Sequence, residues 1–297
     1  MESRIGSTRK SGNMPTTPKR LLIVDDDDSV CQMLVRTLGP LGLHITNVHT
    51  AAEAIHQLRE HVFDVVLLDV GLPDKSGFEV LKGSQHSRAR FIILTGHSTP
   101  EEVVDAARAR AFDYIAKPFE PDTLVSAVGR ALESDENTEI EIYSAKPDWF
   151  ELSLPCTRDC AERIENFMRN IKVDLPAELR DTVISAFREL LMNAVEWGGG
   201  LDPDRRVRVA CLRTSRMLQY RISDPGPGFR FENLSHAAAG HPQEGPLAHL
   251  TERESRGMRP GGLGLVMVKA LADELIYNEE QNEVILIKYL DLPAQNS

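Results

Sequence analysis

Four loops in this chain follow short apolar runs with residues able to do chemistry. Asp25, Asp26 and Asp27 come after LLIV (21–24), Asp69 after FDVVLL (63–68), Thr95 after FIIL (91–94), and Lys117 with Pro118 after FDYIA (112–116). Crowded carboxylates repel one another unless a divalent cation neutralises them, and an all-oxygen set with few protein ligands suits Mg²⁺. A lysine beside such a site supplies a compact cation for a phosphate oxygen, and the Thr95 hydroxyl can hydrogen-bond another.

A second group of reactive residues lies further along the chain. In RELLMNAVEW (188–197), Glu189 and Asn193 are four apart and face the same way on one helix. The Asn193 amide oxygen is a hard ligand for Mg²⁺, and the Glu189 carboxylate one turn away could polarise water or a hydroxyl beside the metal. SDPGPGF (223–229) places Asp224 at a strand end before a stiff Gly-Pro-Gly loop. Gly226 and Gly228 let the backbone approach a flat ligand, while the Asp224 carboxylate can accept from an exocyclic amine. RPGGLGL (259–265), with Gly262 and Gly264, opens a helix whose free N–H groups attract phosphate. It is neither a Walker P-loop nor a dinucleotide fingerprint.

The elements that must position these residues fall into two sets. Over 20–133, the five apolar runs (21–24, 43–48, 63–68, 91–94, 112–116) alternate with helical patterns near 29–38, 51–60, 76–82, 100–108 and 120–133. This βα repeat predicts an α/β domain with a five-stranded, doubly wound parallel sheet, whose reactive loops gather at the carboxyl ends of the strands. Residues 134–147, acidic and ending in Pro147, read as a linker. From 148 to 291, strands at 149–154, 207–213, 218–223 and 283–290 and helices at 157–171, 177–197 and 265–275 give the order β-α-α-β-β-α-β, an α/β sandwich with helices on one face of a mostly antiparallel sheet. Residues 1–19 read as a disordered leader and 292–297 as a tail. The long segment 230–260 reads as a lid, and its His236, His241 and His249 as solvated loop residues.

Length and composition agree with two soluble domains: 297 residues at about 150 per domain, with 41% apolar and 27% charged residues. A net charge of −11, with no basic patch outside the first twenty residues, disfavours direct binding to nucleic acid. No apolar run nears the roughly eighteen residues of a membrane span, so the expected location is cytoplasmic, away from membranes. Cys31, Cys156, Cys160 and Cys211 are too sparse for a disulfide framework and read as reduced, buried thiols.

VDDDD (24–28), LLDVGLPDKSGFEVL (67–81), ILTGHS (93–98) and YIAKPF (114–119) resemble the signature of two-component response-regulator receiver domains. The resemblance implies that Asp69 is the phosphoacceptor, that Asp25 and Asp26 with Asp69 hold Mg²⁺, that Thr95 and Lys117 contact the phosphoryl group, and that Tyr114 is the switch aromatic. It also implies a sensor histidine kinase as donor. Over about 147–291, a helical Glu-x-x-x-Asn, then Asp-x-Gly-x-Gly, then a Gly-x-Gly helix start resembles the Bergerat-fold (GHKL) ATPases. MNAVEWGGGLDPDRRVRV (192–209) and DPGPGF look most like anti-sigma-factor serine kinases, although Trp197 stands where that family often has histidine.

That likeness implies ATP as cofactor, with Asn193 on Mg²⁺, Asp224 on adenine, Gly226, Gly228, Gly262 and Gly264 as backbone nucleotide contacts, and Glu189 as the general base. No histidine is followed by a Glu-x-x-Asn or Glu-x-x-Thr pattern, and no dimerising helical hairpin separates the domains, so autokinase activity is not expected. The combined reading is a response regulator that turns phosphorylation of Asp69 into ATP-dependent serine or threonine phosphorylation, or sequestration, of a sigma factor or anti-sigma antagonist protein. The alternative is a non-catalytic ATP-binding adaptor. Thr95 and Tyr114 would reshape the surface of the helix near 100–108 and the fifth strand, which either docks on the ATPase domain or pairs receivers into a homodimer.

Overall fold

The computed structural model describes residues 18–84, 86–96, 99–134, 139–171, 175–228 and 264–290. The leader over 1–17, the lid over 230–260 with its three histidines, Gly262 and the tail lie outside the described residues.

Five parallel strands form the first sheet: β1 (Arg20–Val24), β2 (His44–Val48), β3 (Val65–Asp69), β4 (Arg90–Thr95) and β5 (Asp113–Ala116), in the order β2-β1-β3-β4-β5. Strand alternation sends Leu21, Ile23, Val65 and Leu67 to one buried face, where α1 (Asp28–Leu38) and α5 (Pro121–Glu133) cover them. Leu22, Val24, Val66 and Leu68 point to the other, under α2 (Ala51–Glu60), α3 (Gly77–Gly83) and α4 (Pro100–Arg108). The strand order reverses between β1 and β3, and that switch point is where a doubly wound sheet opens a crevice. Asp25 follows β1 and Asp69 ends β3, so both stand at that crevice. Helix starts are fixed locally: Asp27 caps α1, Thr50 caps α2, and Thr99 with Glu102 forms a capping box on α4.

The second sheet is antiparallel and six-stranded, in the order β10-β11-β9-β8-β7-β6. Its strands are β6 (Glu141–Ala145), β7 (Trp149–Pro155), β8 (Arg206–Arg213), β9 (Met217–Ser223), β10 (Glu274–Tyr277) and β11 (Glu283–Tyr289). Period-two burial places Phe150, Leu152, Leu154, Val209, Tyr220, Ile222 and Leu286 on one face. This face packs under α6 (Arg158–Ile171), α7 (Ala177–Asn193) and α8 (Gly264–Leu271). The four cysteines are free and buried.

Three expectations need correction. The segment 134–147 is not only a linker, because β6 lies inside it and extends the second sheet beyond β7. Its polar composition suits an edge strand, which buries only one face. The helix expected over 265–275 ends at Leu271, and 274–277 instead pairs with β11 as β10. The Asp273 carboxylate draws the chain into that hairpin by accepting from the Tyr289 N–H at 2.6 Å and pairing with Lys288 at 2.9 Å. The helical stretch expected over 177–197 is α7 followed by a π turn, Ala194–Gly198.

The apolar anchor of α7 is Phe187, fully buried with its ring 4.9 Å from that of Tyr220. Phe187→Ala leaves a cavity beneath the helix carrying Glu189 and Asn193, and is expected to cost about 3–5 kcal/mol in chemical denaturation. A loss below about 1 kcal/mol would show that α7 is held elsewhere.

Candidate functional site

The first site lies at the carboxyl edge of the parallel sheet. Ligand oxygens of Asp25, Asp26 and Asp69 come within 4.8 Å of one another. Lys117, at the end of β5, bridges the cluster with its Nζ 2.5 Å from Asp25 Oδ2 and 3.1 Å from Asp69 Oδ2. Thr95 is buried at the end of β4, and its carbonyl accepts from the Lys117 N–H at 2.6 Å, which ties the two loops together. Asp27 is used differently: its carboxylate accepts from Ser29 N at 2.7 Å as the cap of α1. The structure thus brings together Asp25, Asp26, Asp69, Thr95 and Lys117 and leaves Tyr114 buried further along β5.

The electrostatics of this pocket call for another cation. Burial pushes the Asp25 carboxyl up, and the Lys117 hydrogen bond only partly offsets it. Burial works downward on Lys117, but its hydrogen bond to Asp25 and the charges of Asp69 and Asp25 leave the ammonium above its ordinary range. The two shifts have different main causes, burial for Asp25 and the neighbouring Asp25 and Asp69 carboxylates for Lys117, and both make these groups hold their protons more tightly. A hard divalent ion with oxygen ligands fits that donor set.

The second site is built on α7, the loop after β9 and the start of α8. The Asp224 carboxylate accepts from Gly226 N at 2.8 Å, while its own N–H donates to the Asn282 carbonyl at 2.8 Å. A Cβ on either Gly198 or Gly226 would collide with that carboxylate, so backbone closes around it from two sides. Gly228 has φ +78° and presses on the Glu280 carbonyl, where a side chain would not fit. Burial pushes the Asp224 carboxyl up, and the Gly226 N–H and the Arg205 charge offset this in part. Glu189 lies against the first residue of α8, because a Cβ on Gly264 would meet its Oε2. Asn193, the last residue of α7, leads into the π turn that supplies Gly198.

Three supporting residues escaped the sequence reading. Arg205 Nη2 donates to the Pro225 carbonyl at 2.6 Å and Nη1 to that of Gly199 at 3.4 Å, clamping the Asp224 loop onto the turn after α7. Asn282 Nδ2 donates to the Gly226 carbonyl at 3.1 Å. Glu196, in the π turn, is buried against Arg158 of α6 at 3.1 Å. Arg205 stands in a charged DPDRR run and Asn282 in a polar turn, so composition gave no sign of either.

Comparison with known proteins agrees with both halves. Residues 21–129 match the family model of the response regulator receiver domain, and residues 156–288 that of the histidine kinase-like ATPase domain. The chain is similar to regulatory protein AtoC of Escherichia coli K12, 37% identical over 120 residues, covering 40% of this chain and 26% of AtoC. It is also similar to the DNA-binding response regulator MtrA of Mycolicibacterium smegmatis, 29% identical over 196 residues, covering 65% of this chain and 85% of MtrA. The chain spans only about a quarter to a third of the length of the first curated regulators it matches (26% of AtoC and 30% of a ZraR protein). Among solved structures, a CheY-like receiver domain protein from Methanospirillum hungatei is 31% identical, covering 39% of this chain and 95% of its own, with a TM-score of 0.38. No helix among the described residues is long and apolar enough to cross a membrane. The chain carries a response regulator receiver domain followed by a histidine kinase-like ATPase domain.

Proposed function

We propose that this protein is a response regulator whose Asp69 is phosphorylated by a sensor histidine kinase and whose ATP-binding domain phosphorylates a serine or threonine of a partner protein, in a partner-switching system of the anti-sigma type. The observation that carries the reading is that one chain holds both a Lys-bridged carboxylate pocket at a sheet switch point and a carboxylate, Asp224, enclosed by glycine backbone.

In the receiver, an Asp69 carboxylate oxygen attacks the phosphorus of the donor phosphohistidine. The P–N bond breaks, an acyl phosphate forms, and the imidazole leaves with its electron pair. Asp25, Asp26 and Asp69 would hold Mg²⁺, which would supply charge neutralisation when bound. Lys117 and Thr95 stabilise the transferred oxygens from the other side.

In the ATPase domain, Asp224 accepts from the adenine amine, and Gly226 and Gly228 admit the base. Gly264, with Gly262, offers backbone N–H groups to the phosphates at the start of α8, and Asn193 is the Mg²⁺ ligand. Glu189 takes the proton of the partner hydroxyl as its oxygen attacks the γ-phosphorus, and ADP leaves. A sigma factor or an anti-sigma antagonist is the partner class; the homodimer stays a second assembly state. The negative charge supports a protein partner over nucleic acid.

Asp69→Asn is expected to abolish Mg²⁺-dependent, acid-labile labelling by a phosphodonor; label persisting in that variant rejects the phosphoacceptor. In calorimetry, Asp224→Ala is expected to weaken ATP binding at least tenfold, and unchanged affinity rejects the adenine assignment. Glu189→Ala is expected to lower partner phosphorylation by roughly 10²–10⁴-fold with ATP affinity nearly intact. ATP binding without transfer to any captured partner would leave the adaptor reading in place of the kinase.

A further inference from the structure

Helix α6 belongs to the ATPase domain but is held by the receiver along much of its length. The Arg163 Nε donates to the Phe112 carbonyl at 2.9 Å, and its guanidinium lies 3.9 Å from the centre of the Phe112 ring. Arg130 on α5 holds Asp113 at 2.8 Å and also reaches Asp159 at 3.2 Å and Glu162 at 3.4 Å, both on α6. Toward its far end, Asn170 donates to the Tyr114 carbonyl at 3.4 Å. The backbone is thus gripped at 112, just before β5, and at 114 within it, while the loop at its end presents Lys117 to Asp69.

The opposite contact of α6 is with the nucleotide site. Arg158, its first residue, pairs with Glu196 at 3.1 Å, and the Glu196 side chain is 0% exposed. Glu196 lies within the π turn Ala194–Gly198, between Asn193 and the glycine whose backbone closes on Asp224. π turns are rare, occur mainly at functional sites, and persist only where their surroundings hold them. The Arg158 side chain is 42% exposed while the Glu196 carboxylate is buried, so parting the pair would take this partner from a buried charge, and a displacement of α6 is thereby felt at the turn. A helix of 14 residues carries such a shift as a rigid rod.

We infer that α6 couples the two sites, with the Arg158–Glu196 pair as its joint to the nucleotide turn and Glu196 as a positioning residue for Asn193 and Asp224. The inference rests on the phosphoryl and ATP sites proposed above and names how one regulates the other. Because coupling between binding sites is reciprocal, ATP must change the affinity for a phosphoryl mimic at Asp69 by the same factor.

The test uses the full chain with Mg²⁺, ATP and beryllofluoride, and reads the ratio of ATP dissociation constants without and with beryllofluoride. The unsubstituted chain is expected to give a ratio differing from one by roughly 5–150-fold. Arg158→Ala and the isosteric Glu196→Gln are each expected to bring the ratio close to one, and Arg158→Lys to restore part of it. Arg110→Ala, which removes an exposed rim pair with Glu139, is expected to keep it. A wild-type ratio in folded Arg158→Ala and Glu196→Gln overturns the joint, as does its loss in Arg110→Ala. A ratio of one in an unsubstituted chain that binds both ligands overturns the coupling and leaves both sites standing. Failure of that chain to bind ATP at all rejects the nucleotide site, and the inference with it.

Discussion

A guanidinium taken out of water must find its partners inside the protein, and Arg163 is only 8% exposed where the two domains meet. It is satisfied by the face and carbonyl of Phe112 on one side and by Asp159 of its own helix on the other. Asp113, equally buried, is balanced by Arg130, which also reaches α6. The Arg163 charge is compensated from the other domain, through Phe112, and Arg130 carries the balance of Asp113 across to Asp159 and Glu162. The receiver and the ATPase domain are therefore two sheets sharing a set of desolvated charges, with one apolar cluster running from Tyr114 through Ile164 and Met168 to the second core.

The two sites handle burial of negative charge in opposite ways. In the receiver, three carboxylates are crowded around one ammonium, which leaves the pocket with an appetite for positive charge. In the ATPase domain a single carboxylate is surrounded by neutral backbone, with one donor from Gly226 and the Arg205 charge nearby. The first arrangement suits an ion and a transferring phosphoryl group; the second suits a neutral hydrogen-bond donor such as an aromatic amine.

Much of this was legible in the residues. The receiver reads cleanly because each strand is a buried apolar run ending in a reactive residue, and α2 and α4 fall where their patterns place them, at 51–60 and 100–108. The ATPase motifs fall on residues that the structure packs closely: a Cβ on Gly226 would meet the Asp224 carboxylate, and one on Gly264 the Glu189 carboxylate. What escaped depends on distant partners. LVMVKALADEL is apolar enough to read as one helix, and the Asp273 contacts with β11 reveal the break. The π turn at 194–198 is not read from the sequence, and its Glu196 pairs with Arg158, 38 residues away in sequence. The docking of β5 on α6 rests on arginines distant in sequence, which surface patterning does not reveal.

The strand β6 has a consequence for how this chain divides. It pairs along β7, whose residues Leu152 to Pro155 are buried, and its own outer side meets α4 through Arg108 and the Ala145 carbonyl at 2.5 Å. A fragment beginning at residue 147 would lose that covering and present β7 as a bare, apolar sheet edge, the kind of surface that templates association between chains. The segment joining the domains is thus also the guard of the second sheet, and a soluble ATPase fragment has to begin before Glu141.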